Sequence, residues 1–255
     1  MANSVVVEIC VESVEHAVAA ERGGADRIEL CSDLASGGIT PSAGLMQTAR
    51  RHVAIPIHVL IRPRAGNFFY SDLEIESMKN DIETAKRIGM NGVVLGILDQ
   101  DNRVDVEKAK MLACLAHPLH VTFHRAFDLA KDRLAALEDV ILTGASSILT
   151  SGGQQRATDA LSILARLAQA AKNRIEIMPC GGVNSANVGR IVRVTAAREI
   201  HTSVGMSSLR SSGDSKPALR RRGSSHHLDS FEKKVERLMH QLNGISQSVD
   251  GEPER

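Results

Sequence analysis

A chain of 255 residues with 43% apolar side chains and a formal charge of +1 holds enough material for one large barrel or two small domains. Its near-neutral balance argues against the basic footprint of a nucleic-acid binder, and with no Trp and one Tyr it lacks stacking platforms for single strands. No apolar run approaches the ~18 residues of a membrane span, MANSVVVEICVES lacks the basic start of a signal peptide, and four cysteines in so long a chain suit free thiols in a reducing, cytoplasmic setting.

The β-branched run Val5–Val11 predicts a first strand, and Ser13 caps a helix that runs to Arg22 and stops at Gly23–Gly24. Arg27–Cys31 reads as a second strand, followed by a helix over Pro41–His52 with Pro41 in its first turn. Strand Pro56–Arg62 leads to helix Asp72–Ile88, which Gly89 ends. Strand Gly92–Leu98 pairs with helix Asp105–Ala116, and Leu119–Arg125 with Leu134–Leu142, closed at Gly144. Ser147–Ser151 with Thr158–Ala171, Arg174–Cys180 with Ser185–Val194, and Glu199–Ser203 bring the strands to eight.

Strands alternating with helices predict βαβ units on a parallel sheet, and eight of them in a row predict an α/β fold of the TIM (β/α)8 type. An open doubly wound sheet is the alternative, but no G-x-G-x-x-G follows the first strand. Beyond strand eight, Ser207–Ser225 is rich in Ser, Arg and Gly, and its Arg220–Arg222 run reads as solvated loop. Leu228, Phe231, Val235, Leu238 and Leu242 keep one apolar face, as an eighth helix requires. One barrel domain over 1–243, with a mobile insertion at 206–226 and a disordered tail at 244–255, is expected.

In such a barrel the outward strand face lies under helices, while the inward face can carry polar groups near the C-terminal mouth. Alternation sends Glu8 and Cys10 inward from strand one, and Glu29 and Cys31 from strand two. His58 and Arg62, Thr122 and His124, then Glu176, Met178 and Cys180, and finally His201 follow on strands three, five, seven and eight. Buried charge is costly unless it is paired or functional, so six strands doing this together point to a site at the mouth. Its expected members are Glu8, Cys10, Glu29, Cys31, Arg62, His124, Arg125, Asp128 and His201, with His58 and Glu176 lower in the barrel.

No lysine falls on a predicted strand, which disfavours Schiff-base chemistry. Strand one carries E-x-C where a zinc hydrolase would offer H-x-H, and no P-loop is present. Glycines in TSGG (Gly152, Gly153) and CGGV (Gly181, Gly182) can present backbone N–H groups to an anion or serve as plain turns. Cys10 and Cys31, on strands about 4.8 Å apart, can share a soft ion such as Cu(I) or Zn if their layers match, or pack as small core residues. Cys114 fits the packing role, beside Leu112 and Leu115, and Cys180 is intermediate.

The stretches EICVES, ERGGADRIELCS, GGITPS, IRPRAGNFFYSD, VTFHRAFD, ILTSGG and EIHTS, spread over residues 8–204, resemble the CutC copper homeostasis family. The resemblance implies a TIM barrel, a cytosolic homo-oligomer (dimer or tetramer) and Cu(I) held at Cys10 and Cys31. Departures are RAGN at Arg64–Asn67, Cys180 in PCGGV, and the segment after Gly205. Two functions follow. One is a copper-binding protein. The other is a barrel enzyme on a small anionic, even phosphorylated, substrate. In it Glu8, Glu29, His124 and Asp128 move protons, while Arg62, Arg125, His201 and the loop glycines bind. A purely structural barrel is the third possibility.

Overall fold

The computed structural model describes residues 5–204 and 225–249. Eight parallel strands form a nearly closed barrel: β1 (Val6–Val11), β2 (Arg27–Leu30), β3 (Ile57–Leu60), β4 (Gly92–Leu95), β5 (His120–Phe123), β6 (Ser147–Thr150), β7 (Glu176–Pro179) and β8 (Glu199–Thr202). Hydrogen-bonded pairing runs β7-β6-β5-β4-β3-β2-β1-β8. Across the β7–β8 seam, Arg198 Nη2 meets Glu176 Oε2 at 2.7 Å and Thr202 Oγ1 donates to the Val183 carbonyl at 2.6 Å.

The outer ring is α1 (Val14–Arg22), α2 (Ala43–His52), α3 (Asp72–Ile88), α4 (Val106–Ala116), α5 (Arg133–Thr143), α6 (Leu161–Ala171), α7 (Val188–Thr195) and α8 (Ser225–Val249). The starts follow local chemistry. Ser13 accepts from the His16 N–H, Ser71 and Glu74 form a reciprocal capping box, and Asp105 and Asp132 cap α4 and α5. Gly89 and Gly144 end α3 and α5 at φ of +85° and +83°, where a side chain would be strained. Together these elements make a single-domain TIM barrel.

Several boundaries differ from expectation. Strands β2 to β8 stop earlier at their C-terminal ends than expected, so Cys31 and Arg62 stand just beyond β2 and β3. Pro41 precedes α2, whose cap is Ser42, and a 3-10 turn over Arg125–Leu129 carries Arg125 and Asp128. Residues 225–226 and 244–249, expected in loop and tail, are helical; 206–224 and 250–255 lie outside the described residues. Cys114 is exposed rather than packed, because α4 buries Ala109, Leu112, Ala113 and Ala116 and turns position 114 to the opposite face.

Between strands and helices, Ile9, Ile28, Ile57, Val93, Phe123, Ile148 and Ile200 are buried against helix residues such as Leu112, Leu137, Leu164 and Leu238. Each such side chain contributes about 1.5–3 kcal/mol by leaving water. That shell lets the barrel interior carry polar groups. Among the described residues, the interior holds two small apolar groupings: Cys10, Cys31, Leu60 and Val94 in one, Leu149, Met178 and Cys180 in the other.

Candidate functional site

The lower interior is a connected ionic layer. Glu8 is the register partner of both Arg27 and His201. Arg27 Nε donates to Glu8 Oε2 at 2.7 Å, and its Nη2 reaches Glu199 Oε2 at 2.8 Å. His201 Nδ1 lies 2.7 Å from Glu8 Oε1, and His58 Nδ1 lies 3.4 Å from Oε2. His58 stacks on His120 with ring centroids 4.8 Å apart. A Cβ on Gly92 would sit 2.4 Å from the His58 ring, so that position must be glycine.

Burial alone would raise the Glu8 carboxyl, but the hydrogen bonds from His201 and His58 and the Arg27 charge overcome it and hold it well below the usual range. Glu8 is fully buried and does not line the cavity above, so its place is in this layer rather than at the mouth. Arg27, Glu199 and His120 were not among the expected site residues. The period-two pattern carried the signal: 27 with 29, 199 with 201, 120 with 122 and 124 share faces.

The thiols form the next layer. Cys10 is opposite Glu29 in register, so Cys31 stands two residues further along its strand's path. The layers do not match, yet the side chains lean together and the two Sγ atoms are 3.5 Å apart. Cys10 Sγ also donates to Glu29 Oε1 at 3.4 Å, and ligand atoms of Cys10, Glu29 and His201 all lie within 4.8 Å of one another. The hydrogen bond with Cys31, then burial, pushes the Cys10 thiol well above its ordinary value. Burial likewise raises Glu29, with the Glu8 charge adding to it and His201 opposing. His201 is raised despite burial, because Glu29 and Glu8 favour its cation.

Above lies a cavity of about 740 Å³ reaching from Cys10, Glu29 and His201 to the loops after β5, β7 and β8. His124 lines it, accepting from the Ala126 N–H through Nδ1 at 3.2 Å, which leaves the proton on Nε2. Burial, reinforced by the Arg62 charge, pulls His124 down to about 3, so the ring is neutral. Gly96 makes room for it, since a Cβ there would meet Nδ1 at 2.4 Å. Arg62 holds the carbonyls of Gly38 (2.7 Å) and Gly66 (2.8 Å) and lies over the Phe68 ring.

Asp128 is not among the residues that line the cavity. Its carboxylate accepts from Thr150 Oγ1 (2.6 Å), Ser151 Oγ (2.8 Å), Gly153 N (3.0 Å) and Arg125 Nε (2.9 Å). A carboxylate so committed ties two loops together and aims Arg125. The expected anion-binding glycines also divide. The Gly152 N–H donates to Thr150 Oγ1 and that of Gly153 to Asp128, whereas Gly181 and Gly182 line the cavity. Among the described residues no helix is long and apolar enough to cross a membrane.

A (β/α)8 barrel with two adjoining buried thiols, a carboxylate and an imidazole at its mouth defines a barrel protein with a soft-ion donor set. The sequence profile of the CutC family matches residues 5–206, and the chain belongs to that family. It is 50% identical over 202 residues to the human copper homeostasis protein cutC homolog, covering 79% of this chain and 74% of the relative. The mouse protein of the same name is 48% identical over 213 residues, 84% of this chain and 76% of its own length. A crystal structure of a CutC protein from Streptococcus agalactiae superposes with a TM-score of 0.75 at 33% identity, covering 78% of this chain and 98% of that one.

Proposed function

We propose that this protein acts in copper homeostasis by carrying Cu(I) on Cys10 and Cys31. The observation that carries the reading is the 3.5 Å approach of two buried thiols, of which Cys10 lines the cavity. Thiolates are the soft ligands that favour Cu(I) over harder cations. Two metal–thiolate bonds of about 2.3 Å laid end to end span about 4.6 Å, so linear coordination requires the sulfurs to part by about 1 Å. At the observed spacing a bent arrangement fits better, and Glu29 and His201 stand ready as further donors. The names of the human and mouse relatives support copper as the cargo.

The raised Cys10 thiol supplies a consequence. Loading displaces its proton, so uptake releases at least one proton per ion at neutral pH and affinity rises with pH. A competition titration with a colourless Cu(I) chelator, run on the wild type and on Cys31→Ser, tests the assignment. One tight site lost in the variant is the expected result. Unchanged affinity in Cys31→Ser contradicts it.

A further inference from the structure

The copper reading uses Cys10, Cys31, Glu29 and His201, carried by β1, β2 and β8, and the rest of the cavity lining has a different character. Among the described residues, four basic side chains, Arg62, Arg125, Lys234 and Arg237, line the cavity against one carboxylate, that of Glu29, in a chain whose net charge is only +1. Arg62 is buried, and among the described residues it contacts carbonyls and an aromatic ring but no carboxylate. A buried cation without a counter-charge is costly unless an anion joins it.

Arg125 is held in place from behind. Its Nε and one terminal nitrogen are fixed by Asp128 and Ser151, while Nη1 has no protein acceptor among the described residues. Gly181 and Gly182 adopt φ of +86° and +68°, and neither backbone N–H has a protein acceptor there. Successive N–H groups in such a turn make a concavity for a small anion. The glycines cannot be replaced cheaply, since a Cβ on Gly181 would lie 2.7 Å from the Gln155 carbonyl.

The second, independent sign is His124. The residue is 5% exposed and lines the cavity, and its Nε2–H has no hydrogen-bond partner among the described residues. Buried donors are nearly always paired, so this one awaits an acceptor from a molecule in the cavity. The cavity, about 740 Å³, is far larger than a bare tetrahedral anion needs and falls in the range of small-molecule sites.

We propose that the cavity binds a small organic phosphate monoester, its phosphoryl group on the Gly181–Gly182 amides, Arg125 and Lys234, and an oxygen of its organic part accepting from His124 Nε2–H. The contacts proposed for the monoester include neither thiol, so within the one cavity the two proposals are tested independently.

The test is NMR on the full, metal-free, reduced chain, following the backbone amides of Gly181 and Gly182 and the His124 ring nitrogens. Inorganic phosphate, glycerol 3-phosphate, ribose 5-phosphate and glycerol are titrated separately. Inorganic phosphate is expected to shift the glycine amides saturably, and at least one monoester to bind more tightly and shift His124 Nε2 as well. Glycerol alone is expected to shift neither. Lys234→Gln, an exposed change on α8, is expected to weaken monoester binding about tenfold, the loss of one charge-assisted contact. The absence of saturable shifts with any phosphate up to tens of millimolar overturns the proposal. Monoesters that bind no better than inorganic phosphate and leave His124 unmoved overturn its organic half. An unaltered affinity in Lys234→Gln overturns the cationic cradle.

Discussion

Replacing Arg27 with Met removes the guanidinium that spans the lower barrel while keeping an apolar stem of similar length. It leaves Glu8, which is 0% exposed, and Glu199 without the cation that lies 2.7 Å and 2.8 Å from them. Breaking one side of a buried ion pair costs about 3–5 kcal/mol, because the surviving charge keeps its desolvation penalty. His201 still bonds to Glu8, which places this case at the lower end, about 3 kcal/mol. In a chain of this size that is a fall in Tm of about 6–12 °C. Equilibrium urea unfolding of wild type, Arg27→Met, Glu8→Gln and the double variant measures it. Removing both partners is expected to cost at least about 1 kcal/mol less than the two single losses added together. Strict additivity, or a cost below about 1 kcal/mol for Arg27→Met, refutes the view that this layer is a coupled ionic network.

Acid sensitivity offers a second check. His124 titrates at about 3 when folded, far below about 6.5 in the unfolded chain, so its contribution is complete above the unfolded value and is lost progressively as pH falls toward the folded one. Between pH 7.5 and 5.5 this amounts to about 1.4 kcal/mol. His124→Asn keeps an oxygen for the Ala126 N–H and removes the titration, so its stability is expected to fall less over that interval by that amount; an unchanged pH slope sinks the argument. Thiol chemistry offers a third. Cys114 is exposed while Cys10, Cys31 and Cys180 are buried, so a thiol-reactive disulfide is expected to label one thiol quickly in the native chain and all four in denaturant. A second fast thiol contradicts the burial of the other three.

The barrel was legible because each unit repeats the same local grammar. Ser13 before an apolar helical stripe, glycines at positions 89 and 144, and eight short β-branched runs all point to one topology. Alternation also placed Cys10, Glu29, Cys31, His124 and His201 correctly inside. It did not show depth: Glu8 and His201 both face inward, but only the barrel's stagger puts Glu8 beneath the cavity floor and His201 at its edge. The Arg27 bridge is not legible in the sequence, although Arg27 shares a face with Glu29, because alternation does not show that Glu8 and Glu199, on other strands, meet it in the interior. The sequence suggests a proton-moving role for Asp128 and an anion-binding one for Gly153 because the loop hydrogen bonds that occupy them join segments far apart in sequence, 25 residues for that pair. Cys114 has a simpler reason: Leu112 and Leu115, three residues apart, share the core-facing side of α4, and position 114 does not.

X-ray absorption at the copper K-edge of the Cu(I)-loaded chain tests the central claim most directly. The account predicts two sulfur scatterers per copper in the wild type, one in either Cys10→Ser or Cys31→Ser, and a remaining shell of nitrogen or oxygen. A wild-type spectrum fitted by nitrogen and oxygen alone, or two sulfurs retained in both variants, contradicts it.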